Sequence, residues 1–154
     1  MSAADRLAAL GLELPQVPAP AAAYVPSARM GSLVQTAGQL PMRDGALPMT
    51  GKVGDEVSLE QAQDLARQCA LNVLAVGASH VDGDLDRLRV VKLTVFVASV
   101  PTFSEQHLVA NGASNLIGEV LGDNGIHARS AVGVPVLPLD SPIEVEALFE
   151  VLGA

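Results

Sequence analysis

The sequence predicts an α+β domain, a mixed β-sheet with two helices packed on one of its faces. Three observations carry that prediction. Residues 58–76 repeat their apolar positions at helical spacing, residues 90–97 alternate as a strand, and all such segments follow one another as β-β-α-β-α-β-β. No repeat, long linker or low-complexity tract divides the chain. Residues 1–154 therefore read as one domain, with residues 1–20 as an N-terminal helix and proline-rich arm.

Taken in order, Ser2 to Leu10 has a partial apolar stripe of Ala3, Leu7 and Leu10, and Gly11 and Pro15 stop it. Pro15, Pro18 and Pro20 then enforce an extended arm, since proline fixes φ and biases its predecessor away from helix. Two strands are expected at Ala22–Pro26 and Leu33–Ala37, with Ser27–Gly31 as the turn of a hairpin. Gly38-Gln39-Leu40-Pro41 ends the second strand, and Arg43 to Lys52 reads as loop.

The clearest helix follows. Ser58 caps it with Gln61 at the capping-box position, and Ala62, Leu65, Ala66, Cys69, Ala70, Val73 and Leu74 form a wide stripe to about Val76. Gly77 to Asp86 is a polar turn whose Asp82-Gly83-Asp84 lacks the rest of a calcium-loop pattern. From Val90 to Val97, Val91, Leu93, Val95 and Val97 share one strand face; Val90, Lys92, Thr94 and Phe96 share the other.

A second helix is expected after Pro101. Thr102 and Glu105 would box its start, Leu108, Val109, Leu116, Ile117 and Val120 its apolar side, with a kink or break at Asn111, Gly112 and Asn115. Gly122 and Gly125 end it. Two strand-like runs, from His127 and from Ile143, close the chain and are joined by a turn rich in Pro and Asp. This arrangement leaves one sheet face open for a partner subunit to cover.

Half of the composition, 49%, is hydrophobic while only 3% is aromatic, more aliphatic surface than a monomer core needs, so part of it is expected in a subunit interface. A net charge of −8, with nine scattered basic residues, repels phosphate backbones and argues against nucleic acid as a partner. The single cysteine, Cys69, cannot form an intrachain disulfide and sits on a helix's apolar side, as a buried structural thiol does. With no signal peptide and no membrane-length apolar run, the expectation is a soluble cytoplasmic protein.

Arg129 stands among Ala, Ser, Val and Gly, where a guanidinium is costly unless it meets an anion. That anion is either a bound carboxylate or an internal Glu144 or Glu146; both remain open. Glu144 and Glu146 share a strand side, solvated if it is exposed and able to activate water if a neighbour buries it. His127 shares the side of Arg129, as general base or as bystander. His80, His107 and His127 lack metal-ligand spacing, so no metal is expected. Ser130 lacks a glycine elbow, and Gly31, Gly38 and Gly51 make no phosphate loop.

Together, Tyr24, Ala37-Gly38-Gln39-Leu40-Pro41, the strand Val90–Val97, Ala128-Arg129-Ser130-Ala131-Val132, Leu137-Pro138 and Ile143-Glu144-Val145-Glu146-Ala147 resemble the RidA/YjgF family. The order and spacing hold from about residue 20 to the end, with a longer N-terminus and a longer stretch between Phe103 and Arg129. The resemblance implies a chorismate-mutase-like fold, a homotrimer with clefts between subunits, and hydrolysis of 2-imino acids or enamines to 2-keto acids and ammonia.

It assigns Arg129 to grip the substrate carboxylate and Glu144 to position the attacking water. Tyr24 and Gly38 would line the cleft, the tyrosine from the adjacent subunit, and Ala131 would contribute through its backbone. Such a reaction needs orientation, a water and a proton acceptor, and no cofactor. Ala37 stands where deaminating members usually carry a hydroxyl residue, Ala131 where a cysteine is frequent, and Ala22-Ala23 where Gly-Pro precedes the tyrosine. The implied cleft is thus less polar, which motivates an alternative, the holding of a small 2-keto acid without turnover. Endoribonuclease activity is a third reading, disfavoured by the negative charge.

Overall fold

Strands Ser27–Met30 (β1), Leu33–Thr36 (β2), Leu88–Ala98 (β3), Ala128–Val134 (β4) and Ile143–Val151 (β5) form one sheet in the order β1-β2-β5-β3-β4. They belong to a computed structural model that describes residues 1–17, 19, 20 and 22–153. β3 is antiparallel to β5 and parallel to β4, so the sheet is mixed, as expected. The two closing strands are not neighbours, however. β3 lies between them, and residues 135–142 cross the end of the sheet instead of making a hairpin.

Helices Leu59–Ala78 (α2) and Gln106–Leu121 (α3) cover one face, and helix Ala3–Ala9 (α1) packs against α3. Alternation decides which face is covered: Leu93, Val95, Val97, Ile143, Val145, Ala147 and Phe149 are all buried beneath the helices. α2 begins on the expected reciprocal box, with Ser58 Oγ accepting from Gln61 N at 3.1 Å and Gln61 Oε1 accepting from Ser58 N at 2.9 Å. Cys69 is fully buried on its inner side. Ser2 and Asp5 box α1 in the same way, and Arg6 ties it to α3 by donating Nε–H to Val120 O at 2.7 Å.

Several local expectations fail, each for a physical reason. The first strand is Ser27–Met30, where a turn was expected, and the turn is Gly31-Ser32. Gly31 takes φ 60°, as the first residue of a two-residue hairpin turn does, and that turn fixes the pairing of Met30 with Leu33. Ala22–Pro26 instead bends, with Tyr24 N–H donating to Ala22 O at 2.9 Å. In β3 a bulge between Val90 and Lys92 swaps the faces, so Val90 is buried and Val91 is not part of the core row.

The Thr102–Glu105 box does not form. The chain turns first, Phe103 N–H donating to Val100 O at 3.0 Å, and α3 starts only at Gln106 without a side-chain cap. α3 also runs unbroken through Asn111 and Gly112. A Cβ on Gly112 would lie 2.0 Å from Gln63 O, so this glycine permits close approach of α2 and α3 and does not break the helix. Of the expected proline-rich arm, Pro18 lies outside the described residues. No helix among the described residues is long and apolar enough to cross a membrane.

Candidate active site

β5 starts the site. Its second residue, Glu144, points to the open sheet face, because Ile143 and Val145 on either side are buried against α2. After β2 the chain passes directly over it, held by paired backbone bonds between Gln39 and Val145 at 2.7 and 3.0 Å. Gly38 is consequently pressed on the carboxylate: a Cβ there would sit 2.2 Å from Glu144 Oε1. Partial burial first, and then the charge of Glu146, push the Glu144 carboxyl above the ordinary carboxylate range. A half-buried carboxyl with a raised pKa beside a cavity is suited to taking and returning a proton.

The cavity next to Gly38 is lined by Tyr24, Pro26, Leu40, Met42 and Leu139 among others, and no charged side chain among the described residues contributes. Its volume of about 70 Å³ is far below the roughly 300 Å³ of a complete ligand pocket. Leu139, 61% exposed, holds φ 59°, and Asp140 after it holds φ 56°. This strained turn is tethered by Gly51 N–H donating to Asp140 O at 3.0 Å and by an ion pair of Lys52 with the Asp140 carboxylate.

Arg129 lies elsewhere. Leu93 of β3 pairs with both Arg129 and Ala147, so Arg129 faces the helices, as does Ala131 two residues on. Glu144 pairs with Phe96 on the opposite face. Within one chain the expected clamp and the expected acid are thus not brought together, nor is Arg129 paired with Glu144 or Glu146. Tyr24, Gly38 and Glu144 are gathered at one place; Arg129 and Ala131 lie at the β4 edge.

The guanidinium is bound by α3. Nη1 donates to Asn111 Oδ1 at 2.9 Å and to Ser114 Oγ at 3.1 Å, and Nη2 donates to His107 O at 3.0 Å. His127 joins this cluster through Ser114 Oγ at 2.9 Å and Gly125 O at 2.6 Å. The sequence reading takes Asn111 only as an interruption of the helix and gives Ser114 no role. Their i, i+3 spacing on one side of the helix was the available signal, and it reads equally as a weak helix. The apolar lining by Leu40, Met42 and Leu139 left no such mark.

Residues 15–151 match the family described as Endoribonuclease L-PSP. Protein TCP17 from Trypanosoma cruzi is 48% identical over 149 residues, 96% of this chain and 92% of that one. A 2-iminobutanoate/2-iminopropanoate deaminase from Salmonella typhimurium is 34% identical over 139 residues, 85% and 89% of the two chains. The crystal structure of protein Atu1372 from Agrobacterium tumefaciens superposes with a TM-score of 0.90 at 47% identity, covering 97% of this chain and 92% of that one.

Proposed function

The chain belongs to the endoribonuclease L-PSP family, and from that premise we propose that it hydrolyses small carboxylate-bearing imines or enamines to 2-keto acids and ammonia. The supporting observation is the Gly38–Glu144 contact: a carboxyl of raised pKa, pinned by backbone beside a small apolar cavity. The deaminase name carried by the Salmonella relative points the same way.

In this reading water adds to the C=N carbon while Glu144 takes one of its protons. Glu144 passes that proton to nitrogen, giving a carbinolamine. The carbinolamine hydroxyl then loses its proton through Glu144 to the same nitrogen as the C–N bond breaks, so imine plus water gives keto acid plus ammonia. Arg129 grips the substrate carboxylate, Tyr24 and Gly38 line the cleft, and Ala131 presents backbone at the β4 edge. Because Arg129 and Glu144 face opposite ways in one chain, the site is completed by a second copy. A cytoplasmic homotrimer with a chorismate-mutase-like arrangement and clefts between subunits is the assembly we propose, and no cofactor takes part. The net charge of −8 disfavours phosphate backbones as substrates.

The test is the hydrolysis of 2-iminobutanoate generated in solution. Acceleration by the pure chain, lost in Arg129→Ala, is expected; no acceleration beside an active relative overturns the assignment. The uncharged cavity lining favours one second reading, the holding of a 2-keto acid without turnover. Calorimetric binding of 2-oxobutanoate by a chain that accelerates nothing would establish it.

A further inference from the structure

Arg129 is held by a directional series of hydrogen bonds whose sense can be read from the groups themselves. Gly125 O can only accept, so the His127 Nδ1 at 2.6 Å carries a proton and donates. In the neutral ring Nε2 is then an acceptor. Ser114 Oγ already accepts from Arg129 Nη1 at 3.1 Å, which leaves its own hydrogen for His127 Nε2 at 2.9 Å. The series therefore runs from Arg129 to Ser114 to His127 to Gly125 O, every donor matched to one acceptor.

The consequence lies in what the guanidinium has left. Both Nη1 hydrogens are occupied, by Asn111 and Ser114, and one Nη2 hydrogen by His107 O. Of the five donors, Nε–H and one Nη2–H remain. A carboxylate can then be gripped with two parallel bonds only through that side of the guanidinium. Fixing Arg129 from behind both orients this fork and removes the rotamer entropy that a free arginine loses on binding.

We propose that Ser114 and His127 are positioning residues that aim the Nε–Nη2 fork of Arg129 at the substrate carboxylate. This rests on the clamp reading of Arg129 under Proposed function. Ser114 acts by direct contact with the guanidinium. His127 acts through Ser114, by drawing away the hydroxyl hydrogen so that Oγ presents a lone pair to Nη1.

The experiment compares wild type, Ser114→Ala, Ser114→Thr, His127→Gln and Arg129→Ala in calorimetric binding of 2-oxobutanoate and in 2-iminobutanoate hydrolysis. The ¹⁵N resonance of Arg129 Nε and thermal melting are followed alongside. Loss of one charge-assisted bond corresponds to roughly a tenfold loss of affinity. Ser114→Ala and His127→Gln are expected to weaken binding and raise KM by about that factor with kcat little changed, since the carboxylate is held alike in ground and transition states. Ser114→Thr, which keeps a hydroxyl, should restore binding, and Arg129 Nε should shift in Ser114→Ala.

Binding by wild type that is lost in Arg129→Ala but unaltered in Ser114→Ala and His127→Gln overturns this proposal and leaves the clamp standing. Equal behaviour of wild type and Arg129→Ala overturns the clamp, and the proposal with it. Should Ser114→Ala not fold, unchanged binding in a folded His127→Gln still decides against the series.

Discussion

Arg129 and Glu144 stand on opposite faces of one sheet, with β3 between their strands. If both serve one reaction, they meet only across a boundary between two copies. Arg129→Ala and Glu144→Gln chains, each inactive alone, should then regain activity when unfolded and refolded together. Random mixing leaves about a quarter of the boundaries with an intact arginine facing an intact glutamate. Recovery near that fraction of wild-type rate is expected in an imine hydrolysis assay. No recovery in mixed assemblies of wild-type size would mean that the two residues do not serve one site.

Glu144 is destabilising in its charged form, since partial burial and Glu146 raise its pKa. A group whose folded pKa is raised contributes stability at low pH that is lost as pH rises through the folded value. Glu144→Gln removes the charge, so it should raise Tm at neutral pH, with the gain shrinking as the pH falls through the raised folded value and gone below the ordinary carboxylate range. The same substitution should lower kcat by roughly 10² to 10⁴, the span for a positioned acid–base group. A variant that is more stable and less active marks a residue kept for function. Thermal melts at several pH values with parallel kinetics would read both.

Gly38 and Glu144 form a coupled pair. A Cβ 2.2 Å from Oε1 cannot be accommodated unless the carboxylate moves, and the backbone at 38 is fixed by the Gln39–Val145 bonds. Gly38→Ala should cost about 1–3 kcal/mol, as overpacking does. In a Glu144→Ala background most of that cost should vanish, because the group it strikes is gone. A double-mutant cycle by denaturant unfolding measures the coupling; additive costs would mean that the clash lies elsewhere.

Leu139 holds a left-handed conformation that an L-residue adopts at about 1–2 kcal/mol, yet it is 61% exposed and buries little in return. Leu139→Gly should raise Tm by roughly 2–4 °C per kcal/mol relieved. Because Leu139 walls the cavity beside Gly38, the variant should also bind 2-oxobutanoate more weakly. Higher Tm with unchanged affinity would make the turn a structural matter alone.

What the sequence discloses follows how local the determinant is. The Ser58–Gln61 box and the alternation of Ile143 to Val151 are written within a few residues, and both stand as read. The first strand was misplaced because register comes from the Gly31-Ser32 turn, not from the apolar Ala22–Pro26. The bulge at Val91 hides within a run that is mostly β-branched or aliphatic, where either face reads as core. At the site, Glu144 and Gly38 are distant in sequence and are joined by the Gln39–Val145 pairing, beyond the end of the β2–β5 ladder. The division of Arg129 from Glu144 depends on strand order, which no spacing encodes.

Gly112 shows the same limit, since a helix glycine reads as weakness until its neighbour is known. Here α2 and α3 approach so closely that a Cβ would lie 2.0 Å from Gln63 O and 2.8 Å from Gln63 C. Both obstacles are backbone, which cannot swing aside as a side chain does. On propensity alone Gly112→Ala should stabilise α3 by roughly 0.5–1 kcal/mol. Steric exclusion dominates instead, because parting the helices opens the contacts of Val109, Ala110 and Ala113 and breaks the Gln63 Nε2–H bond to Leu108 O. A destabilisation of about 3 kcal/mol or more is expected, the scale of large core disruptions. The displacement would also move Asn111 and Ser114, and with them Arg129, so keto acid affinity should fall in whatever fraction remains folded. Denaturant unfolding shows which effect wins: a gain in stability would mean that the helices lie farther apart than this packing.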